Sequence, residues 1–246
     1  MTVEIRFVDA VAEIRLSRPE VGNALDLPTA TELNEAVATA GQARSRAILL
    51  TGAGRHFCVG GDLRAMLAAP DPSDYVAELA EQFHRTVQAL VDAEAVLVCA
   101  VDGAAAGAGL ALTLLCDLVI ASPTARFLTA YTTAGLTPDG GTTWHLPRVV
   151  GRRRAADLLL NERVLSADDA VEWGVVSSIA DDGDLERAAR LLAQRNARPE
   201  LAATARLLRQ ASTGGLAAHL AAEAASIAAR SALPEVRARM HAVLEH

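Results

Sequence analysis

Lysine is absent from this sequence: all 23 basic residues are arginine. Without a lysine amine, Schiff-base chemistry and the phosphate-cradling P-loop are excluded. Cysteine is scarce and odd in number. Cys58, Cys99 and Cys116 stand far apart with no CxxC pair, a spacing that fits neither a disulfide framework nor a zinc site and points to a reducing, cytoplasmic compartment. A basic surplus is missing as well. The 30 acidic residues against 23 basic ones give a net charge of −7, which argues against nucleic acid as a partner, because phosphate binding needs Lys and Arg in excess on one face. No uncharged apolar stretch reaches the ~18 residues that a membrane span needs. The first ten residues, MTVEIRFVDA, lack the basic and apolar regions of a signal peptide. The expectation is a soluble, non-secreted protein with neither nucleic acid nor membrane as partner. Aromatic residues make up only 3 % of the chain, so a pocket walled by aromatic rings is disfavoured.

What the chain has is aliphatic bulk. Half of its 246 residues are apolar, 51 % by count, enough for a large core in one or two domains at roughly 150 residues each. Val3–Val8 and Val11–Leu16 are β-branched runs separated by a turn at Asp9-Ala10, the pattern of a hairpin. A helix is expected to begin near Pro28 and to close at Gly41, with Leu33, Val37 and Ala40 on one face. Ala47–Thr51, Val96–Val101 and Leu118–Ala121 read as buried strands, and Tyr75–Val91 and Gly107–Leu115 as helices. Strands alternating with helices argue for an α/β fold. From about Arg152 onward the pattern turns to Ala- and Leu-rich helices, with Val175–Ile179 as one further strand. Ser166 and Asp169 form a capping-box pattern, and breaks are expected at Pro199, Gly214-Gly215 and Pro234.

Two glycine-rich turns each follow a strand. The first is TGAGRHFCVGGDL (51–63), in which Gly60 and Gly61 permit a sharp turn with backbone N–H exposed. The second is DGAAAGAG (102–109), where a helix begins near Gly107 and offers unpaired N–H groups and a positive dipole end. Together they suggest two backbone donors converging on one carbonyl oxygen. A dinucleotide loop is the competing reading of Gly52-Ala53-Gly54, but Phe57 stands where GxGxxG requires its last glycine. His56 and His145 adjoin these motifs without a second ligand at metal-binding spacing, so no metal is expected.

The segments RPEVGNAL (18–25), AILLTGAGRHFCVGGDL (47–63), CAVDGAAAGAGLALTLLCDLVIAS (99–122), GLTPDGGTTWHLPRVVG (135–151) and LSADDAVEWGVV (165–176) resemble the crotonase (enoyl-CoA hydratase/isomerase) superfamily. The resemblance implies a crotonase-like spiral of ββα units over 1–190 and a C-terminal helical region over 191–246 that forms a homotrimer or a dimer of trimers. It also implies an acyl-CoA thioester as substrate, with no cofactor beyond the coenzyme A that the substrate carries. The oxyanion hole of such proteins transfers to the N–H groups of Gly61 and Ala108. Arg55 and Arg64 fall where the resemblance places basic residues near the CoA phosphates. The two glutamates of family hydratases, which place water and move its proton, correspond here to Ala111 and Tyr131. Neither is a carboxylate base, which puts ordinary hydration in doubt. Asp139 lies where enoyl-CoA isomerases, including those resembling the ring-epoxide isomerase of phenylacetate breakdown, carry their acid/base aspartate. From the residues alone, Asp139 also suits an ordinary turn, or an N-cap for a helix starting near Thr142.

A Δ3-Δ2-enoyl-CoA isomerase or related ring isomerase is therefore the expected activity. Alternatives are an enoyl-CoA hydratase, a hydrolytic aryl-CoA dehalogenase and a non-catalytic acyl-CoA-binding protein. In the dehalogenase of this superfamily the aspartate attacks an aromatic ring, and a histidine activates water; that histidine corresponds to His84, which otherwise reads as a structural residue beside Phe83 and Val87. The stretch Met66–Phe83 is expected to shape the acyl pocket.

Overall fold

The β-branched runs at the N-terminus pair as expected. Strands β1 (Val3–Val8) and β2 (Val11–Leu16) form an antiparallel hairpin in full register, Val8 opposite Val11, with Asp9 at φ 53° making the turn. The structure, a computed structural model, describes residues 1–211 and 215–245. After the hairpin, helix α1 (Leu27–Gln42) is capped by the Asp26 carboxylate on the Thr29 N–H. The helix runs one residue past Gly41. Strand β3 (Ala47–Gly52) lies parallel to β2. Helices α2 (Leu63–Ala68) and α3 (Pro72–Asp92) then lead to strand β4 (Val96–Val101), parallel to β3. Pro72 opens α3 and Asp71 caps it.

A three-residue strand, β5 (Ala104–Ala106), precedes helix α4 (Ala108–Leu115), strand β6 (Leu118–Ala121) and strand β7 (Arg126–Leu128). Helices α5 (Thr142–Val150) and α6 (Arg152–Leu160), strand β8 (Leu165–Ser166), helix α7 (Ala167–Glu172) and strand β9 (Ser178–Ile179) follow. Helices α8 (Leu185–Asn196), α9 (Pro199–Ala211), α10 (Leu216–Ser231) and α11 (Pro234–Leu244) complete the chain. The strands form a six-stranded sheet in the order β1-β2-β3-β4-β6-β9 and a three-stranded sheet β5-β7-β8. The boundary expected near residue 190 falls within α8, which packs on β3, β4 and β6.

β4 shows why the strand expectations held. All six of its residues are buried, because both faces of the parallel sheet are covered. Leu97, Cys99 and Val101 join α1, α3 and α4 in the main core, whereas Val96, Val98 and Ala100 lie under Ala189 and Ala193 of α8 and Ala205 of α9. Arg209 clamps α9 down. Its Nε donates to the Val91 carbonyl at 3.2 Å, its Nη2 to the Ala93 and Ala95 carbonyls at 2.6 and 3.1 Å, and its Nη1 pairs with Asp117.

Two expectations change. Only Ser178–Ile179 of the run 175–179 forms a strand. Val175 and Val176 instead donate their N–H groups to the Ala170 carbonyl, closing the end of α7. Asp139 does not cap α5; its N-cap is Gly141, which has no side chain to offer. The capping box of Ser166 and Asp169 is present in full. The breaks at Pro199 and Pro234 open α9 and α11, Gly215 precedes α10, and Gly214 lies outside the described residues. α10 packs on α3 and α11 on α2, folding the end of the chain back over its middle. Among the described residues no helix is long and apolar enough to cross a membrane.

Candidate active site

The two glycine-rich turns meet because a short parallel ladder joins them. The Phe57 N–H donates to the Asp102 carbonyl at 2.8 Å, Cys58 N–H to Ala104 at 3.1 Å, and Ala106 N–H to Cys58 at 2.9 Å. This brings Gly60-Gly61 alongside Gly107-Ala108. The approach is close and the backbone suits glycine: Gly107 is at φ +52° and Gly60 at φ +106°, and a Cβ on Gly107 would sit 3.4 Å from Gly60 Cα and one on Gly60 3.3 Å from the Ala106 carbonyl oxygen. Ala108 is the first residue of α4, where no helical carbonyl reaches its N–H. Among the described residues neither the Gly61 nor the Ala108 N–H donates a backbone hydrogen bond. Both residues line a cavity of about 390 Å³.

The first of these turns is held from behind by residues that the sequence reading did not single out. Asn23, 1 % exposed and at φ 58°, lies with its Nδ2 2.9, 2.7 and 3.2 Å from the carbonyls of Ala53, His56 and Phe57, while its Oδ1 accepts the Arg18 N–H at 2.8 Å. The Arg18 guanidinium pairs with Asp26 and Asp62, each at 3.1 Å. Asp62 in turn caps α2 through the Arg64 and Ala65 N–H groups. The turn that ends at Gly61 is thereby held by a buried amide on one side and part-buried ion pairs on the other. The one signal in the sequence was an Asn after a Gly in RPEVGNAL.

The cavity walls are mainly aliphatic. Met66, Val76, Leu79, Ala80 and Phe83 come from the stretch expected to shape the pocket, and Ile227, Val243 and Leu244 come from α10 and α11. Among the described residues three carboxyl groups line it. Glu20 is exposed, Asp62 is tied to Arg18, and Asp139 is 8 % exposed with no ion pair among the described residues. Burial pushes the Asp139 carboxyl up to about 7, a hydrogen bond from Tyr131 opposes this, and the nearby Glu223 carboxylate adds to it.

The remaining expected site residues are placed as follows. Tyr131 lines the cavity, 7 % exposed, with its hydroxyl 3.4 Å from the Asp139 carbonyl oxygen and from Thr142 Oγ1. Burial holds the phenol well above its usual range, so it is a neutral donor. His84 is behind the Asp139 turn and its Nε2 accepts the Gly140 N–H at 3.2 Å. Burial lowers it to about 4, which keeps this acceptor neutral. Arg64 is exposed at the cavity rim; Arg55 is exposed and is not among the lining residues. Ala111 is 1 % exposed, and a Cβ on Gly140 would lie 3.2 Å from the Ala111 Cβ and overlap the Phe83 ring. The turn bearing Asp139 therefore packs close to Ala111.

The sequence profile of the enoyl-CoA hydratase/isomerase family matches residues 6–245. A probable enoyl-CoA hydratase of Rhodobacter capsulatus is 38 % identical over 224 residues, 91 % of this chain and 86 % of the relative. The 1,2-epoxyphenylacetyl-CoA isomerase of Escherichia coli is 40 % identical over 187 residues, 75 % of this chain and 71 % of the relative. Among solved structures, an enoyl-CoA hydratase from Mycobacterium avium subsp. paratuberculosis superposes with a TM-score of 0.90 at 26 % identity, over 100 % of this chain and 96 % of the other.

Proposed function

The chain belongs to the enoyl-CoA hydratase/isomerase family, and from that premise we propose that it is an isomerase that moves a double bond in an acyl-CoA thioester, with Asp139 as its acid/base. The observation that carries the reading is that, among the described residues, Asp139 is the one buried carboxyl of the cavity without an ion pair, beside Ala111 and Tyr131 at the two positions where hydratases of the superfamily hold glutamates. One carboxylate suffices for isomerisation. In its ionised form Asp139 takes a proton from C2 of a 3-enoyl thioester, giving a dienolate whose charge gathers on the thioester oxygen. The Gly61 and Ala108 N–H groups receive that oxygen. The protonated Asp139 then delivers the proton to C4, leaving the double bond between C2 and C3. Asp139 is regenerated, and no other atom is gained or lost. Hydration would need a second group to place water, and a neutral Tyr131 cannot act as its base.

A carboxyl held near 7 can both take and return a proton near neutral pH. Arg64 at the rim is the cation for the CoA phosphates, and the aliphatic wall suits an alkyl chain better than an aromatic ring.

The test gives the wild type and Asp139→Asn a panel of 3-enoyl-, 2-enoyl- and aryl-CoA esters, with products followed by chromatography and mass spectrometry. Wild type is expected to convert 3-enoyl to 2-enoyl esters without change of mass. Asp139→Asn should lose about 10²–10⁴-fold in kcat while still binding the ester. Gain of water by 2-enoyl esters, or full activity in the variant, overturns the isomerase reading.

A further inference from the structure

We propose that Glu223, reaching in from α10, is a positioning residue for Asp139: it caps the helix that follows the Asp139 turn and sets a second negative charge behind the Asp139 carboxyl. Helix α5 has no cap of its own, because its N-cap is Gly141. Glu223, 82 residues away in sequence, takes that place. Its Oε2 accepts the Gly141 N–H at 2.7 Å, and its Oε1 accepts the Thr143 N–H at 3.1 Å together with the Thr143 hydroxyl. Both oxygens thus act as acceptors, the arrangement of an ionised carboxylate at a helix N-terminus. His219, one turn earlier on α10, places its Nε2 3.3 Å from the same Oε1 and 2.5 Å from Thr143 Oγ1. Glu223 itself is 6 % exposed.

The turn Asp139-Gly140-Gly141 is gripped on two consecutive amides from two different helices. His84 of α3 accepts the Gly140 N–H, and Glu223 of α10 accepts the Gly141 N–H. Titratable groups against the turn that carries Asp139 and the start of α5 are Tyr131 ahead of it, His84 on α3, His145 on α5 beside Gly141, and Glu223 and His219 on α10. None of them forms an ion pair with Asp139 among the described residues. The Glu223 charge adds to burial in raising Asp139. Removing the charge but keeping the shape should therefore lower the proton affinity of Asp139. A mere cap would change stability alone.

The experiment titrates the Asp139 carboxyl by ¹³C NMR in the full-length protein, with the resonance assigned by its absence from Asp139→Asn. The wild-type midpoint is expected near 7. Glu223→Gln and Glu223→Met should each lower it by about one unit, a roughly tenfold loss of proton affinity. The acidic limb of kcat/KM should move to lower pH by the same amount. Glu223→Met, which accepts neither amide, should also lose about tenfold in kcat with KM little changed. An unmoved midpoint in a folded variant overturns the proposal, and so does a wild-type midpoint in the ordinary carboxylate range. The kinetic arm rests on the isomerase reading, but the NMR arm does not. A midpoint that shifts in a protein that isomerises nothing would refute that reading and leave the positioning role standing.

Discussion

A carboxyl kept out of water makes the fold favour its protonated form, and at Asp139 this sets a pH dependence opposite to that of an ordinary salt-bridged aspartate. The unfolded group titrates near 3.8 and the folded one near 7. Between those values the native state binds a proton that the unfolded state has released, so stability falls as pH rises through the interval, by at most about 4 kcal/mol. Asp139→Asn should therefore melt at a higher temperature than wild type at pH 8 and at a similar temperature at pH 4. Paired thermal melts at the two pH values check this. His84 and His145, both lowered to about 4 by burial, act in the other direction. Their neutral forms stabilise the fold above 6.5, and that contribution is lost as pH falls toward 4. They are common to both proteins, so the difference between the melts isolates Asp139. The residue best suited to the chemistry is thus one whose charge the fold resists.

At the scale of elements, the proposed oxyanion hole of Gly61 and Ala108 depends on backbone approach rather than on side chains. Gly107→Val would force a β-branched residue to φ +52° and press its Cβ toward Gly60. The expected cost is about 1–3 kcal/mol of stability. Turnover should fall by about 10²–10³-fold as the two donors separate, measured by denaturant titration and steady-state assay. Elements with continuous apolar patterns, such as β4 and α3, were legible in the sequence because their own residues carry the signal. β5, β7 and β8 were not, since strands of two or three residues exist only by pairing with distant chain. The same division holds in the site. The glycine turns and Asp139 stand out locally, but the ladder from Cys58 to Ala104–Ala106 that joins the turns has no local signature. Glu223 was missed for a similar reason, although an acid four residues after His219 in an alanine-rich helix is a detectable oddity. Asp139 as a helix cap misread an adjacent turn, because the cap is supplied from another helix.

For the whole molecule, Arg209 joins the late helices to the sheet. Its guanidinium satisfies three carbonyls around the end of α3 and pairs with Asp117, which also accepts the Leu97 N–H at 2.7 Å. Arg209→Ala would leave the largely buried Asp117 carboxylate without its counter-charge and three carbonyls without this donor. A loss of about 3–5 kcal/mol is expected, read as a lower denaturant midpoint with little change in KM for whatever fraction remains folded. The place of α11 in the cavity wall also bears on how the protein is made. Val243 and Leu244 form part of the cavity wall, beside residues from the first quarter of the chain such as Val21 and Leu25. On the ribosome, the glycine turns can be translated and paired long before that wall exists. A nascent chain therefore acquires its complete binding chamber only after the last turn of α11 has cleared the exit tunnel. For the same reason an affinity handle fused after Leu244 adjoins the cavity wall, whereas one ahead of Met1, 90 % exposed, adjoins a residue that is not part of that wall.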